Sequence, residues 1–200
     1  MPLPTDEKLL ALSKDILEQF DKIFGLHPGF RPAHAKGILL QGTFQPSLAA
    51  ASLTRAPHMN QESTPVWVRF SDATGLPLIP DNNPNANPKG CAIRFQLGER
   101  AHTDIIAHSA NGFPARNGQE FLEFLRALAA TDPTKPAGSP LEAFLGTHPR
   151  TLAFVHYLSQ LRPALRGNSS SASRRCVSPT RLARAVLAAI GWSRKRASII

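Results

Sequence analysis

The chain has 200 residues, 42% hydrophobic and 18% charged, enough for one globular domain with its own core and too apolar for a disordered or fibrous polymer. Its formal net charge of +9 sits at one end: residues 1–157 hold all 14 acidic residues and 14 basic ones, whereas residues 158–200 hold nine basic residues and no acidic one. Two distant cysteines, Cys91 and Cys176, supply neither a disulfide framework nor a cysteine metal site, and no run of about 18 apolar residues and no signal-like head occurs, which predicts a soluble cytoplasmic protein.

In chain order, Leu9, Leu12, Ile16, Leu17, Phe20, Ile23 and Phe24 recur at steps of three and four, which predicts an amphipathic helix over 6–24, capped by Thr5 and ended by Gly25 and Pro28. The octet Phe30-Arg31-Pro32-Ala33-His34-Ala35-Lys36-Gly37 then leads into a strand-like stretch, 37–44, ended by Pro46. An alanine- and leucine-rich piece over 47–55 favours a short helix that Pro57 stops. Residues 65–71 alternate, with Val66, Val68 and Phe70 on one side and Trp67, Arg69 and Ser71 on the other, so Arg69 and Ser71 face the same way.

The proline- and asparagine-rich run 75–89 reads as a long loop between strands. Strands follow at 90–97 and 103–109, linked by a hairpin-like connection over 98–102. Asn117 with Glu120 three residues on marks a helix start, with Phe121, Leu122, Phe124, Leu125 and Leu128 as its apolar face and Thr131-Asp132-Pro133 at its end. Ser139-Pro140-Leu141-Glu142 is a second start, and a last helix is expected over 149–161. From Gly167 the texture becomes serine- and arginine-rich, followed by an Ala/Leu/Arg segment from Thr180 to Trp192 that can form one more helix. The domain reading is a core over 6–160 and a basic tail over 161–200.

Taken alone, each candidate functional residue has an ordinary explanation: a loop histidine, a strand serine, solvated arginines, core phenylalanines. Their order and company point further. The octet around His34, then Val68-Arg69-Phe70-Ser71, Gly90-Cys91-Ala92-Ile93-Arg94-Phe95, Asp104-Ile105-Ile106-Ala107, and Phe113, Arg116 and Phe121 together resemble the haem catalase superfamily, more closely its small catalase-related peroxidases than the large catalases. The resemblance covers about residues 6–157. It implies an α+β chain with an N-terminal helical arm, about four antiparallel strands of a catalase-like β-barrel and following helices, short of the family's later strands. An open half barrel of that kind would leave unpaired strand edges.

The resemblance also implies roles. The cofactor is haem b, and the partners are a peroxide and a small-molecule electron donor; a homo-oligomer is compatible with it, and no specific nucleic-acid or membrane partner is expected. His34 corresponds to the distal acid–base residue, a role suited to an imidazole with an unperturbed pKa of about 6.5. Ser71 corresponds to the hydroxyl that fixes the tautomer of that imidazole. Arg31 and Arg69 match positions that pair with haem propionates, which planar guanidinium groups engage through two parallel hydrogen bonds. Phe113 and Phe121 match aromatic residues along the haem and its channel.

Two departures shape the expected chemistry. His108 stands where large catalases carry an asparagine that orients peroxide, which favours peroxidase over catalase activity and makes His108 a third catalytic candidate. The family's iron ligand is a tyrosinate from an R-x-x-x-Y segment late in the chain. The single tyrosine here, Tyr157, is preceded by Ala153 at the arginine position, so no metal ligand is assigned and the segment after Leu158 reads as a replaced or frameshifted C-terminus. The alternative functions are a non-catalytic relative that binds haem or an apolar ligand weakly, and a nucleic-acid or membrane contact made by the basic tail.

Overall fold

In the computed structural model, residues 4–160 are described. The tail expectations, the domain boundary at 161 and the helix over 180–192 among them, lie outside those residues. The described chain forms two compact units, one from residues 4–36, 73–80 and 110–160, the other from residues 37–72 and 81–109.

The first unit is helical. Helix α1 spans Glu7–Phe24. Its N-cap is Asp6 rather than the expected Thr5: the Asp6 carboxylate accepts from the backbone N–H groups of Lys8 at 2.9 Å and Leu9 at 3.2 Å, and an acid suits this end of the helix dipole. Gly25 closes the helix at φ 83°, its N–H donating to the Asp21 carbonyl at 2.9 Å. The expected apolar face is only partly buried, since Leu9 and Leu17 are exposed while Gln19 is buried.

Helices α3, Gly118–Ala129, α4, Pro140–Thr147, and α5, Pro149–Gln160, complete this unit, whereas the short α2, Ala50–Leu53, belongs to the other. Both predicted starts are built alike. Asn117 accepts from Glu120 N–H while the Glu120 carboxylate reaches back to Arg116 N–H; Ser139 accepts from Glu142 N–H while the Glu142 carboxylate reaches back to Gly138 N–H. Each glutamate thus takes the N–H one residue before the cap. Helix α3 packs on α1 through Phe20 and Phe121, 6.1 Å apart edge to face, through Leu12 against Gly118, and through an Arg126–Asp15 ion pair at 2.9 Å. Thr151 of α5 is buried and donates its hydroxyl to the Pro114 carbonyl.

The second unit is a four-stranded antiparallel sheet in the order β1-β2-β3-β4: β1 Gly37–Phe44, β2 Thr64–Asp72, β3 Lys89–Gly98 and β4 Ala101–His108. The expected five-residue connection before β4 is a tight turn at Glu99-Arg100, because His102 already pairs with Gln96. The alanine-rich helix α2 shrinks to Ala50–Leu53, having no side-chain cap and leaving Leu48 and Leu53 exposed. One sheet face carries the core: Leu40, Phe44, Val66, Val68, Cys91, Ile93 and Phe95, with Phe70, Met59 and Leu97 against it. Phe44 meets Phe95 edge to face at 5.2 Å, and buried His58 stacks on Phe95 at 4.0 Å. Burying side chains of this size contributes roughly 1.5–3 kcal/mol each. Among the described residues, no helix is long and apolar enough to cross a membrane.

Candidate functional site

The sheet register decides what stands beside what. Gly37 is opposite Ser71, Ser71 opposite Gly90, and Gly90 opposite His108, so the four residues form one row across all four strands. The neighbouring row is Leu39, Arg69, Ala92 and Ile106. Directly opposed residues share a face, and residues two apart along a strand share it as well. Arg69, Ser71 and His108 therefore lie on one face of the sheet, opposite to the core cluster. Two strand spacings, about 10 Å, separate the backbones of Ser71 and His108. Gly90 stands between them and adds no side chain.

Arg69 is held by the same pattern. A Cβ on Gly37 would lie 2.8 Å from both Cζ and Nη2 of Arg69, so the guanidinium lies over the Gly37 α-carbon. On the opposite, core-bearing face, one residue beyond the row, Lys89 forms an ion pair with buried Asp72, its opposed residue on β2. Lys89 Nζ also donates to the Asp81 carbonyl at 2.7 Å, and Lys89 N–H donates to Ser109 Oγ at 2.9 Å. On the face of Arg69, Ser71 and His108, farther from that row, Arg94 grips Asp104 with two hydrogen bonds of 2.8 Å. That bond, more than any other influence, holds the Asp104 carboxyl below its ordinary range.

In the helical unit, His34 is half-buried and is the one described non-glycine residue with positive φ, at 54°. L-residues adopt that conformation rarely, and in functional proteins it concentrates at sites. His34 N–H donates to the Ala73 carbonyl at 3.3 Å and Ala35 N–H to the Thr74 carbonyl at 3.1 Å. Lys36 Nζ donates to the Ile79 carbonyl at 2.7 Å. Arg31 opens the same loop and is exposed.

Phe113 and Phe121 are brought together, ring centroids 5.0 Å apart, with Phe113 55% exposed. Phe121 belongs to a longer aromatic row through Phe20 and Phe124, and Phe124 continues to Phe144. The start of α3 sets its position: backbone and side-chain hydrogen bonds from Arg116 lower the Glu120 pKa, in that order of size. Tyr157 is on α5 with Ala153 one turn before it.

The structure thus brings Arg69, Ser71 and His108 to one sheet face and Phe113 against Phe121, while Arg31 and His34 share a loop of the helical unit. Residue reading missed Thr74 and Gly75, which sit at the opening of a loop with only a lone glycine as a signal. It also passed over Gly37 as a seat for Arg69, because the diagonal contact depends on register.

Comparison with known proteins agrees with this architecture. The catalase family model matches residues 27–160. A catalase-related peroxidase of Mycolicibacterium paratuberculosis is 33% identical over 138 residues, 68% of this chain and 42% of that protein. Another from Synechococcus elongatus is 30% identical over 150 residues, 74% of this chain and 43% of that protein. A solved bacterial catalase aligns with TM-score 0.51 at 25% identity, over 78% of this chain and 29% of that one. The chain therefore spans about two fifths of the length of the curated relatives it matches. With helices and a four-stranded antiparallel sheet that form part of the catalase architecture, and a family match over most of its length, the chain belongs to the catalase family.

Proposed function

We propose that this chain carries the proton-handling and acid-anchoring side of a haem-dependent peroxidase that reduces hydrogen peroxide or an organic hydroperoxide with a small reduced donor. One observation carries it: the cross-strand register gathers Arg69, Ser71 and His108 on the sheet face away from the core, with only glycine between Ser71 and His108. Two relatives named catalase-related peroxidase support the same reading.

Each unit offers groups whose chemistry suits haem. Arg69, laid along the sheet over Gly37, is a preset cation for a propionate, and Arg31 is a second. Phe113, more than half exposed and packed on Phe121, suits the macrocycle's apolar surface. No described residue is assigned to the iron. Haem, when bound, supplies the redox chemistry by which the O–O bond is broken.

In this proposal His34 takes the proton from one peroxide oxygen and returns it to the departing oxygen, so that water, or the alcohol of an organic hydroperoxide, leaves instead of its anion. Ser71 matches, by family resemblance, a hydroxyl that sets a distal imidazole's tautomer. His108, where a large catalase has asparagine, orients peroxide less well and leaves oxidation of a donor as the favoured outcome.

Purified protein incubated with haemin should develop a Soret band and oxidise a dye in the presence of peroxide. His34→Ala should keep the band and lose dye oxidation by about a hundredfold, within the range for a general acid–base residue. Unchanged turnover in His34→Ala would remove the histidine from the mechanism.

A further inference from the structure

The left-handed turn at His34 needs a restraint, because an isolated L-residue leaves that conformation readily. The segment Ala73-Thr74-Gly75 provides one. The Ala73 and Thr74 carbonyls accept from the N–H groups of His34 and Ala35 at 3.3 and 3.1 Å, on the two sides of the peptide that carries the turn. Thr74 is 4% exposed, and its Oγ1 accepts from Leu76 N–H at 2.8 Å, so the gripping segment is itself folded back and fixed. Gly75 is buried under the turn: a Cβ there would strike the Pro32 carbonyl oxygen and lie 2.9 Å from Cδ2 of Phe24. Backbone and ring thus close on Gly75 from two sides, two residues before His34.

We infer that Thr74 and Gly75 are positioning residues that hold the His34 imidazole through its backbone, and that Gly75 is required because only its bare α-carbon lets the turn seat. The inference rests on the acid–base reading of His34 and extends it to residues outside the reacting set. Any side chain at 75 must push away the Pro32 carbonyl, two residues before His34, and that motion swings the imidazole. Misplacement of a reacting group by about an ångström lowers rate by as much as a hundredfold.

The test uses Gly75→Ala and the near-isosteric Thr74→Val, which removes the hydroxyl acceptor without adding bulk. In the protein without haemin, the His34 ring resonances, identified by their loss in His34→Gln, should shift in both variants, while those of His58 and His102 stay put. In the haemin-loaded protein, Gly75→Ala should lower peroxide-dependent dye oxidation about tenfold or more with haemin affinity kept, and add no further loss in the His34→Ala background. Should Gly75→Ala fail to fold, Thr74→Val carries the same readings. Unmoved His34 resonances in Thr74→Val, or an added loss in the double variant, would overturn the clamp. Shifted resonances in a protein that never oxidises the dye would leave the clamp standing and defeat the peroxidase reading.

Discussion

The guanidinium of Arg69 rests on the bare α-carbon of Gly37, on the strand next to its own and one row away. Gly37→Ala would set a methyl 2.8 Å from the guanidinium carbon and 2.5 Å from the Phe70 carbonyl oxygen. The expected loss of stability is about 1–3 kcal/mol, as for overpacking elsewhere. Part of it belongs to Arg69. A urea-unfolding cycle with Arg69→Ala should therefore show a coupling of roughly 0.5 kcal/mol or more, and haemin titration of Gly37→Ala should show weaker binding than in the parent.

His34 occupies a conformation that glycine tolerates and β-branched residues resist. His34→Gly should keep nearly the parent's stability, the relief of the turn being offset by the greater freedom of an unfolded glycine. His34→Val should be less stable than His34→Gly by about 1–2 kcal/mol. Denaturant midpoints of the two variants at equal slope would show it, and equal midpoints would mean that the turn relaxes without its clamp.

The carboxyl of Glu120 titrates below its ordinary value because Arg116 donates to it from backbone and side chain. Its contribution is complete above the unfolded carboxyl value of about 4.3 and is lost as pH falls through the lower folded value. Acidification in that window should loosen the start of α3, and Phe121 with it. Protection of the backbone amides at 116–121, taken relative to the intrinsic exchange rate at each pH, should fall there in the parent and be already low and flatter in Glu120→Gln.

Burial pushes the Cys91 thiol up from its usual pKa, and the side chain lies in the core of the sheet. The thiolate is the reactive form. In a Cys176→Ser variant, iodoacetamide at pH 8 should modify Cys91 more slowly than a free thiol, since burial both hides the sulfur and disfavours the thiolate, and urea should restore the ordinary rate.

Much of this architecture is legible in the residues. Each strand is found within two positions, because Val66, Val68 and Phe70 alternate with Trp67, Arg69 and Ser71, and the same alternation shows that Arg69 and Ser71 share a face. Caps at Asn117 and Ser139 follow from local chemistry. What a single stretch cannot reveal is pairing. The row from Gly37 to His108 joins residues 71 positions apart in sequence, and no local propensity encodes which rung meets which. The His34 turn escapes for a related reason. Asparagine or glycine would advertise a left-handed residue, whereas a histidine is held there by Ala73 and Thr74 from another part of the chain. Asp6 displaced Thr5 as the cap because both are good caps and position alone chose between them.

The row through Ser71 and His108 makes the gene unusually sensitive to small length changes. Losing one codon inside β2 would reverse the parity of everything beyond it, sending Arg69 or Ser71 into the apolar layer with Val68 and Cys91 and turning valines outward. Losing two codons would restore parity and still slide the serine one rung out of line with Gly90 and His108. Natural relatives with altered lengths should therefore place their insertions in the connections at 45–63 and 73–88, where no rung is counted.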